Sequence, residues 1–381
     1  MSISLSELLV LGQGSDLASE RGVSCTGELP PASDPHLVER AVAAKAALGS
    51  RALILGHHYQ RDEVIQFADI TGDSFKLAQA AAEQSSAEFI FFCGVHFMAE
   101  SADILTSPKQ RVILPDLAAG CSMADMATAN QVNQCWQELE KLGVASRTVP
   151  VTYMNSSAAI KSFTGEHGGT ICTSSNAQKT LEWAFAKAEK VLFLPDQHLG
   201  RNTAVLSLGI SLDDCVLWNP WKPMGGLTED EIRSAKMILW RGHCSVHGRF
   251  TRESINEVRT RIPGVQVIVH PECQHEVVVD SDVVGSTEKI IQAVSNSPAG
   301  SKWAIGTELN LVSRLAQNNP DKEIVFLDKT VCYCSTMNRI DLPHLVWAME
   351  SIVAGHIVNE IKVDARVAKY SKLALDQMLA L

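Results

Sequence analysis

Three of the chain's ten cysteines each close an apolar run that reads as a strand: Cys121 ends RVILPDLAAGC, Cys244 ends KMILWRGHC and Cys334 ends EIVFLDKTVCYC. Three thiolates suit a 4Fe-4S cluster that leaves one iron without a protein ligand. They also suit a zinc ion, if Cys332 or His247 supplies a fourth ligand. An open iron is a Lewis acid that polarises a carbonyl or helps a hydroxyl depart as water. The intervals, 123 residues from Cys121 to Cys244 and 90 on to Cys334, match no short ligand motif. A free cysteine is also a small, well-buried hydrophobe. On the residues alone, iron-sulfur ligation, zinc and plain core packing all stay open. Cys25, Cys93, Cys135 and Cys215 have nothing beside them that lifts them above packing.

A second group can move protons. His57 and His58 are followed by Tyr59 and Gln60, and imidazoles exchange protons near neutral pH. Tyr153 with Asn155 offers hydrogen bonds to a carboxylate or enolate. His270 and Glu272 sit two apart on one side of an extended segment, an acid/base or carboxylate-binding pair. Ser74, Ser174 and Thr287 each lie in a turn where a helix can begin, and helix N-termini present free N–H groups to phosphate or carboxylate. Each has a bland explanation as well: a hydrogen-bonded strand-end histidine, a turn-forming asparagine, a surface ion pair, an N-cap.

What positions these residues is a pattern written three times. Each copy opens with a strand ending in polar residues (RALILGHHYQ, TVPVTYMNSSA, VQVIVHPECQHE), continues through a helix and a hydroxyl-bearing turn, adds a second strand, and closes with a strand and a cysteine. The first landmark precedes the hydroxyl by 17, 21 and 17 residues (His57 to Ser74, Tyr153 to Ser174, His270 to Thr287). Alternating apolar runs and helical patterns predict an α/β fold: three similar three-layer α/β/α domains with short parallel sheets, in a pseudo-threefold arrangement. The expected division is a lead-in over 1–36, a first domain over 37–125 with 336–381 packing back on it, a second over 126–247 and a third over 248–335. Ligands of open parallel sheets bind beyond the carboxyl ends of the strands. The polar exits and the three cysteines are therefore expected to meet around one centre.

Composition narrows the function. A net charge of −10 without a dense basic run disfavours nucleic acid and anionic membranes as partners. No apolar stretch nears the roughly 20 residues of a membrane span, and the N-terminus lacks signal-peptide features. The expectation is a cytoplasmic enzyme acting on small molecules. No Walker loop, GxGxxG or GxSxG motif is present.

The stretches GHHYQRDEVIQFADITGDS, AGCSMADMA, VTYMNSSAAIK, CTSSNA, WRGHCSVHGRF, HPECQHEV, GST and CSTMNRIDLPHL, in that order, resemble the quinolinate synthase family from about residue 37 to the end. The resemblance implies a pseudo-threefold fold around one central 4Fe-4S cluster, and condensation of iminoaspartate with dihydroxyacetone phosphate to quinolinate, phosphate and water. It carries the cluster ligands onto Cys121, Cys244 and Cys334, the last chosen over Cys332 because the family's C-x-x-M pattern begins there. It carries the substrate site onto His57, Ser74, Tyr153, Met154, Asn155, Ser174, His270, Pro271, Glu272 and Thr287. His57, Tyr59, Tyr153, His270 and Glu272 become the catalytic candidates, with Ser174 toward the phosphate. The open iron would take a substrate hydroxyl. An aspartate oxidase or dehydrogenase would be a transient partner supplying the imine. An aconitase-like hydratase and a non-enzymatic iron-sulfur sensor are the competing readings; the first needs no phosphate turns and the second needs a docking surface.

Overall fold

A computed structural model describes residues 29–83, 86–329 and 333–381; Cys25, Cys332 and most of the lead-in lie outside them. The strands are β1 (Ala52–His57), β2 (Ile70–Gly72), β3 (Phe89–Cys93) and β4 (Arg111–Ile113); then β5 (Thr148–Tyr153), β6 (Thr170–Cys172), β7 (Lys190–Leu194), β8 (Cys215–Trp218) and β9 (Met237–Trp240); then β10 (Gln266–Val269), β11 (Val283–Val284), β12 (Lys302–Gly306) and β13 (Glu323–Phe326); and last β14 (Glu360–Ile361). They form three sheets among the described residues, in the orders β14-β4-β3-β1-β2, β6-β5-β7-β9-β8 and β11-β10-β12-β13. Every pairing is parallel except that of β14 with β4.

The expected α/β class is present, and the repeat has a topological form. In each sheet the second strand of the copy lies outside the first, the third lies on the first's other side, and the cysteine-bearing fourth follows. Register accounts for the recurring intervals. His57 pairs with Gly72 and Tyr153 with Cys172, so Ser74 and Ser174 each fall two residues beyond the partner of their landmark. Val269 pairs with Val284, just short of His270 and Thr287. The inner strands are apolar on both faces, as β3 and β7 show with every residue buried, because helices cover both sides of a parallel sheet.

The chain divides into two compact units. One comprises the described residues up to Asp125 together with Cys334–Asp364 and contains the first sheet. The other comprises Met126–Tyr333 with Ala365–Leu381 and contains the remaining two sheets. Of the segment 336–381, expected to pack back on the first domain, the first unit takes the part up to Asp364. Its early part does belong there, through β14 and through Arg40, which bonds Glu350 at 2.6 and 2.9 Å. The last helix, Ala365–Ala380, instead lies along the helix Ala158–Glu166 in the second unit. The reason is a close crossing that only a small residue permits. A Cβ on Gly165 would stand 2.0 Å from the Tyr370 carbonyl oxygen. Ser371 Oγ donates to the Ala158 carbonyl at 2.8 Å, and Leu375 and Met378 are fully buried, each such side chain contributing roughly 1.5–3 kcal/mol.

Candidate active site

In the second unit the carboxyl ends of β5, β7, β9, β10 and β12 deliver Tyr153, Asp196, Cys244, His270 with Glu272, and Thr307. The path from β9 to Cys244 is forced close to the neighbouring strand exit. Gln197 N–H donates to the Gly242 carbonyl at 3.0 Å, and a Cβ at Gly242 would lie 2.3 Å from the Pro195 oxygen. Gly248 N–H then bonds the Cys244 carbonyl at 2.9 Å, a turn that brings His247 inward behind Cys244.

Glu272 is the hub. Tyr153 donates its phenol to Oε1 at 2.5 Å, and His247 Nδ1 meets Oε2 at 2.9 Å. His247 Nε2 is 3.2 Å from the Thr307 hydroxyl. His270 lies 3.7 Å from Oε1 and stacks on His247 with ring centroids 4.4 Å apart. All five side chains are at least 95% buried. Burial alone would raise the Glu272 carboxyl, but the two imidazoles and the hydrogen bonds from His247 and Tyr153 outweigh it and hold the group below the usual carboxylate range. Burial, reinforced by the charge of His247 and opposed by Glu272, drops His270 to about 3, so its imidazole is neutral. Asp196, fully buried, is held well above the ordinary value by burial and by the Glu272 charge, against amides that pull it down.

The hydroxyl turns are not the helix caps. Asp73 accepts from the amides of Phe75 and Lys76 at 3.1 and 3.0 Å, which frees Ser74 from capping. Ser286 caps Thr287–Ser295 through the Lys289 amide. Asn176 closes the turn around Ser174 by accepting from the Thr173 amide at 2.7 Å. A cavity of about 550 Å³ opens between the Ser174 and Ser286 turns, with Asn202, Pro271 and Lys289 on its wall. Met154 is buried with its amide on the Cys172 carbonyl, and the Asn155 side-chain oxygen is buried with no hydrogen-bond partner among the described residues.

The first unit carries the rest. His57 ends β1, buried, with Tyr59 packed edge-on at 4.7 Å and its amide donating to His57 Nδ1 at 3.1 Å. Gln60 Nε2 reaches the Met337 carbonyl at 3.3 Å, and Arg339 bonds Asp116 at 3.0 Å, joining the His57, Cys121 and Cys334 loops. Burial lifts the Cys121 thiol to about 12; the amides of Ala124 and Met123 favour its thiolate, and Cys334 is near enough to repel a second negative charge. Cys121, Cys244 and Cys334 are all half-exposed, whereas Cys93, Cys135, Cys172 and Cys273 are buried. Cys215 is half-exposed as well, so exposure alone does not mark a ligand; amides aimed at sulfur are the added feature at Cys121.

Sequence reasoning found the ends of the strands and missed what holds them. His247 entered only as a spare zinc ligand, and Asp196, Asn202 and Thr307 were not singled out. Cys244, His247 and Glu272 place ligand atoms within 4.8 Å of one another, so the thiol abuts the acid/base cluster.

A buried carboxylate bonded by a tyrosine and a histidine at parallel-strand ends, with a second imidazole and a half-exposed thiol beside it, gives this α/β protein a cluster of groups able to exchange protons. The family model described as "Quinolinate synthetase A protein" matches residues 40–380. The chain is 69% identical to the quinolinate synthase of Streptomyces coelicolor over 98% of its length and 95% of that protein's. It is 66% identical to the one from a Nocardioides species over 100% and 98%, and 54% identical to the one from Bacillus subtilis over 90% and 92%. The chain belongs to the quinolinate synthase family. No helix among its described residues is long and apolar enough to cross a membrane.

Proposed function

We propose that this chain condenses iminoaspartate with dihydroxyacetone phosphate to quinolinate, phosphate and water, and holds one 4Fe-4S cluster through Cys121, Cys244 and Cys334. The observation that carries the reading is the Glu272 hub, an anion bonded by Tyr153 and His247, with the His270 imidazole and Cys244 alongside. When bound, the cluster supplies a Lewis-acid iron that favours loss of a hydroxyl as water.

The protein's own groups do the rest. The neutral imidazole of His270 takes and returns protons at nitrogen, and Glu272 takes the phenolic proton when Tyr153 turns to substrate. Asn155 and the Ser174 and Thr287 hydroxyls, unused in capping, hold carboxylate and phosphate against two helix N-termini. His57 and Tyr59 act in the same proton transfers, with Ser74, Met154 and Pro271 completing the substrate walls. Burial excludes water from the unstable imine. That imine, supplied by an aspartate oxidase or dehydrogenase, fits a cytoplasmic setting. Each sheet with its helices is one of three related domains in this reading.

The test is an anaerobic assay of cluster-replete protein with both substrates. Quinolinate is expected; its absence from a sample with intact iron-sulfur absorbance would sink the reading.

A further inference from the structure

The chain carries a net charge of −10, and both substrates in the reading above are anions, so their approach needs a local cation. The cavity of about 550 Å³ between the Ser174 and Ser286 turns has a single one among its described lining residues, Lys289. We infer that Lys289 is a specificity-determining residue, whose ammonium draws the phosphate of the phosphorylated substrate into this cavity. The inference rests on the reading of dihydroxyacetone phosphate as a substrate, and deepens it.

The placement of this side chain is built into the turn. Lys289 is the third residue of the helix Thr287–Ser295, and helical side chains lean back toward the N-terminus. Its stem lies over Gly285, where a Cβ would stand 2.7 Å from Cγ and Cδ of the lysine. The amide of Lys289 donates to Ser286 Oγ at 3.4 Å, while its ammonium meets no carboxylate within 4.0 Å among the described residues. The first unit repeats the device: a Cβ on Gly72 would lie 2.8 to 3.0 Å from the stem of Lys76, the third residue of the helix Ser74–Glu83. Lys179 holds the same position in the helix Ala177–Lys187, but Ser175 stands four residues before it and it does not line the cavity. The other donors on the wall, among them Ser174, Gln178 and Ser286, are neutral. Neutral donors serve carboxylate and phosphate alike, whereas a cation gains most from the greater charge of a phosphate dianion. Glu288, the other charged residue of the wall, sits in the first helical turn, where a carboxylate complements the helix dipole; its charge opposes the entry of an anion.

The experiment compares Lys289→Gln, Lys289→Arg, Glu288→Gln and Lys179→Gln with the wild type in the anaerobic assay, varying each substrate at low and high salt and recording the iron-sulfur absorbance. Inorganic phosphate is titrated into each protein by calorimetry as a probe free of turnover. Expected for Lys289→Gln at low salt is a KM for dihydroxyacetone phosphate raised about 10-fold, with kcat and the KM for iminoaspartate within about twofold. The gap should close to within about threefold in roughly 1 M salt, where charges are screened beyond about 3 Å. Phosphate binding should weaken by the same factor. Lys289→Arg keeps the charge and should keep KM within about threefold, and Glu288→Gln should lower it about two- to fourfold. Lys179→Gln, an equal change in net charge away from the cavity, should leave KM within about twofold. A packing role for the lysine stem would neither respond to salt nor change sign at Glu288. An unchanged KM in Lys289→Gln, an equal rise in Lys179→Gln, or a rise confined to iminoaspartate overturns the inference and leaves the condensation reading standing. If the wild type forms no quinolinate, that reading falls and the phosphate titration decides the inference alone: binding that depends on Lys289 upholds it, and binding that ignores Lys289, or none, overturns it.

Discussion

The phenol of Tyr153, at the end of β5, donates to Oε1 of Glu272 at 2.5 Å across 119 residues of sequence. The two sheets of the second unit therefore meet chemically at their strand ends. Asn202 braces the meeting: its amide nitrogen donates to the Pro271 and Cys273 carbonyls at 2.8 and 2.9 Å, and its oxygen faces His275 Nδ1 at 2.8 Å. The loop that carries Glu272 is thus tied to the helix that follows β7.

Removing the phenol should act on Glu272 as well as on substrate. Burial raises the Glu272 carboxyl, and the imidazoles and the two hydrogen bonds more than reverse it. Tyr153→Phe deletes one bond that favours the anion, so the carboxyl rises. The acid limb of the kcat against pH profile should then move to higher pH, with kcat at the optimum down roughly 10-fold or more. A limb that stays where it is would show that Tyr153 does not hold Glu272.

Serine in place of Cys121, Cys244 or Cys334 should each abolish the visible iron-sulfur absorbance and turnover together, because serine is too hard a ligand to replace thiolate. Cys215→Ser serves as the control, a half-exposed thiol whose sulfur rests on the Ser211 carbonyl at 3.6 Å, and should keep both. Measured iron per chain decides it. A colourless protein holding zinc at Cys244, His247 and Glu272 would favour the structural-metal alternative.

Much of this site could be read in the sequence because strands announce their ends. A run such as TVPVTYMN changes from apolar to polar where β5 stops, and the repeat of that change three times marked Tyr153, His57 and His270. Capping was not legible in the same way. Asp73 and Ser74 are adjacent, and only the backbone angles decide which side chain turns back to the helix amides. His247 was invisible as a partner of Glu272 because their contact joins the exits of two different strands, 25 residues apart in sequence. The division of the C-terminal segment hid for a related reason: an amphipathic helix shows which face is buried, not against what.

Acid should weaken the fold partly through His270. An unfolded histidine binds its proton near 6.5, whereas burial first, and then the charge on His247, lower the folded group to about 3 against the pull of Glu272. Between those values the unfolded chain holds more protons. The contribution of His270 is therefore fully present above pH 6.5 and is lost progressively as pH falls toward about 3. His270→Gln removes the titration. The drop in unfolding free energy from pH 7 to pH 5, read from urea curves, should shrink by an amount on the order of 1–2 kcal/mol. Equal drops in both proteins would place the acid sensitivity elsewhere.

The last helix offers a prediction about stability apart from chemistry. Gly165 lets Ala365–Ala380 approach until the Tyr370 carbonyl occupies the place where a side chain would begin. Gly165→Ala must push the helices apart, and forced repacking of this kind costs roughly 1–3 kcal/mol. Leu375→Ala leaves the crossing intact but removes a fully buried side chain, at roughly 2–5 kcal/mol. Both should lower the urea midpoint, while kcat of the folded protein at 25 °C stays within about twofold, since neither residue touches the Glu272 hub. Because the two residues flank one helix contact, the double variant should lose less than the sum of the single losses. Strict additivity in the unfolding curves would mean that the crossing at Gly165 and the burial of Leu375 are independent, and that the helix is anchored along its whole length instead of at that point.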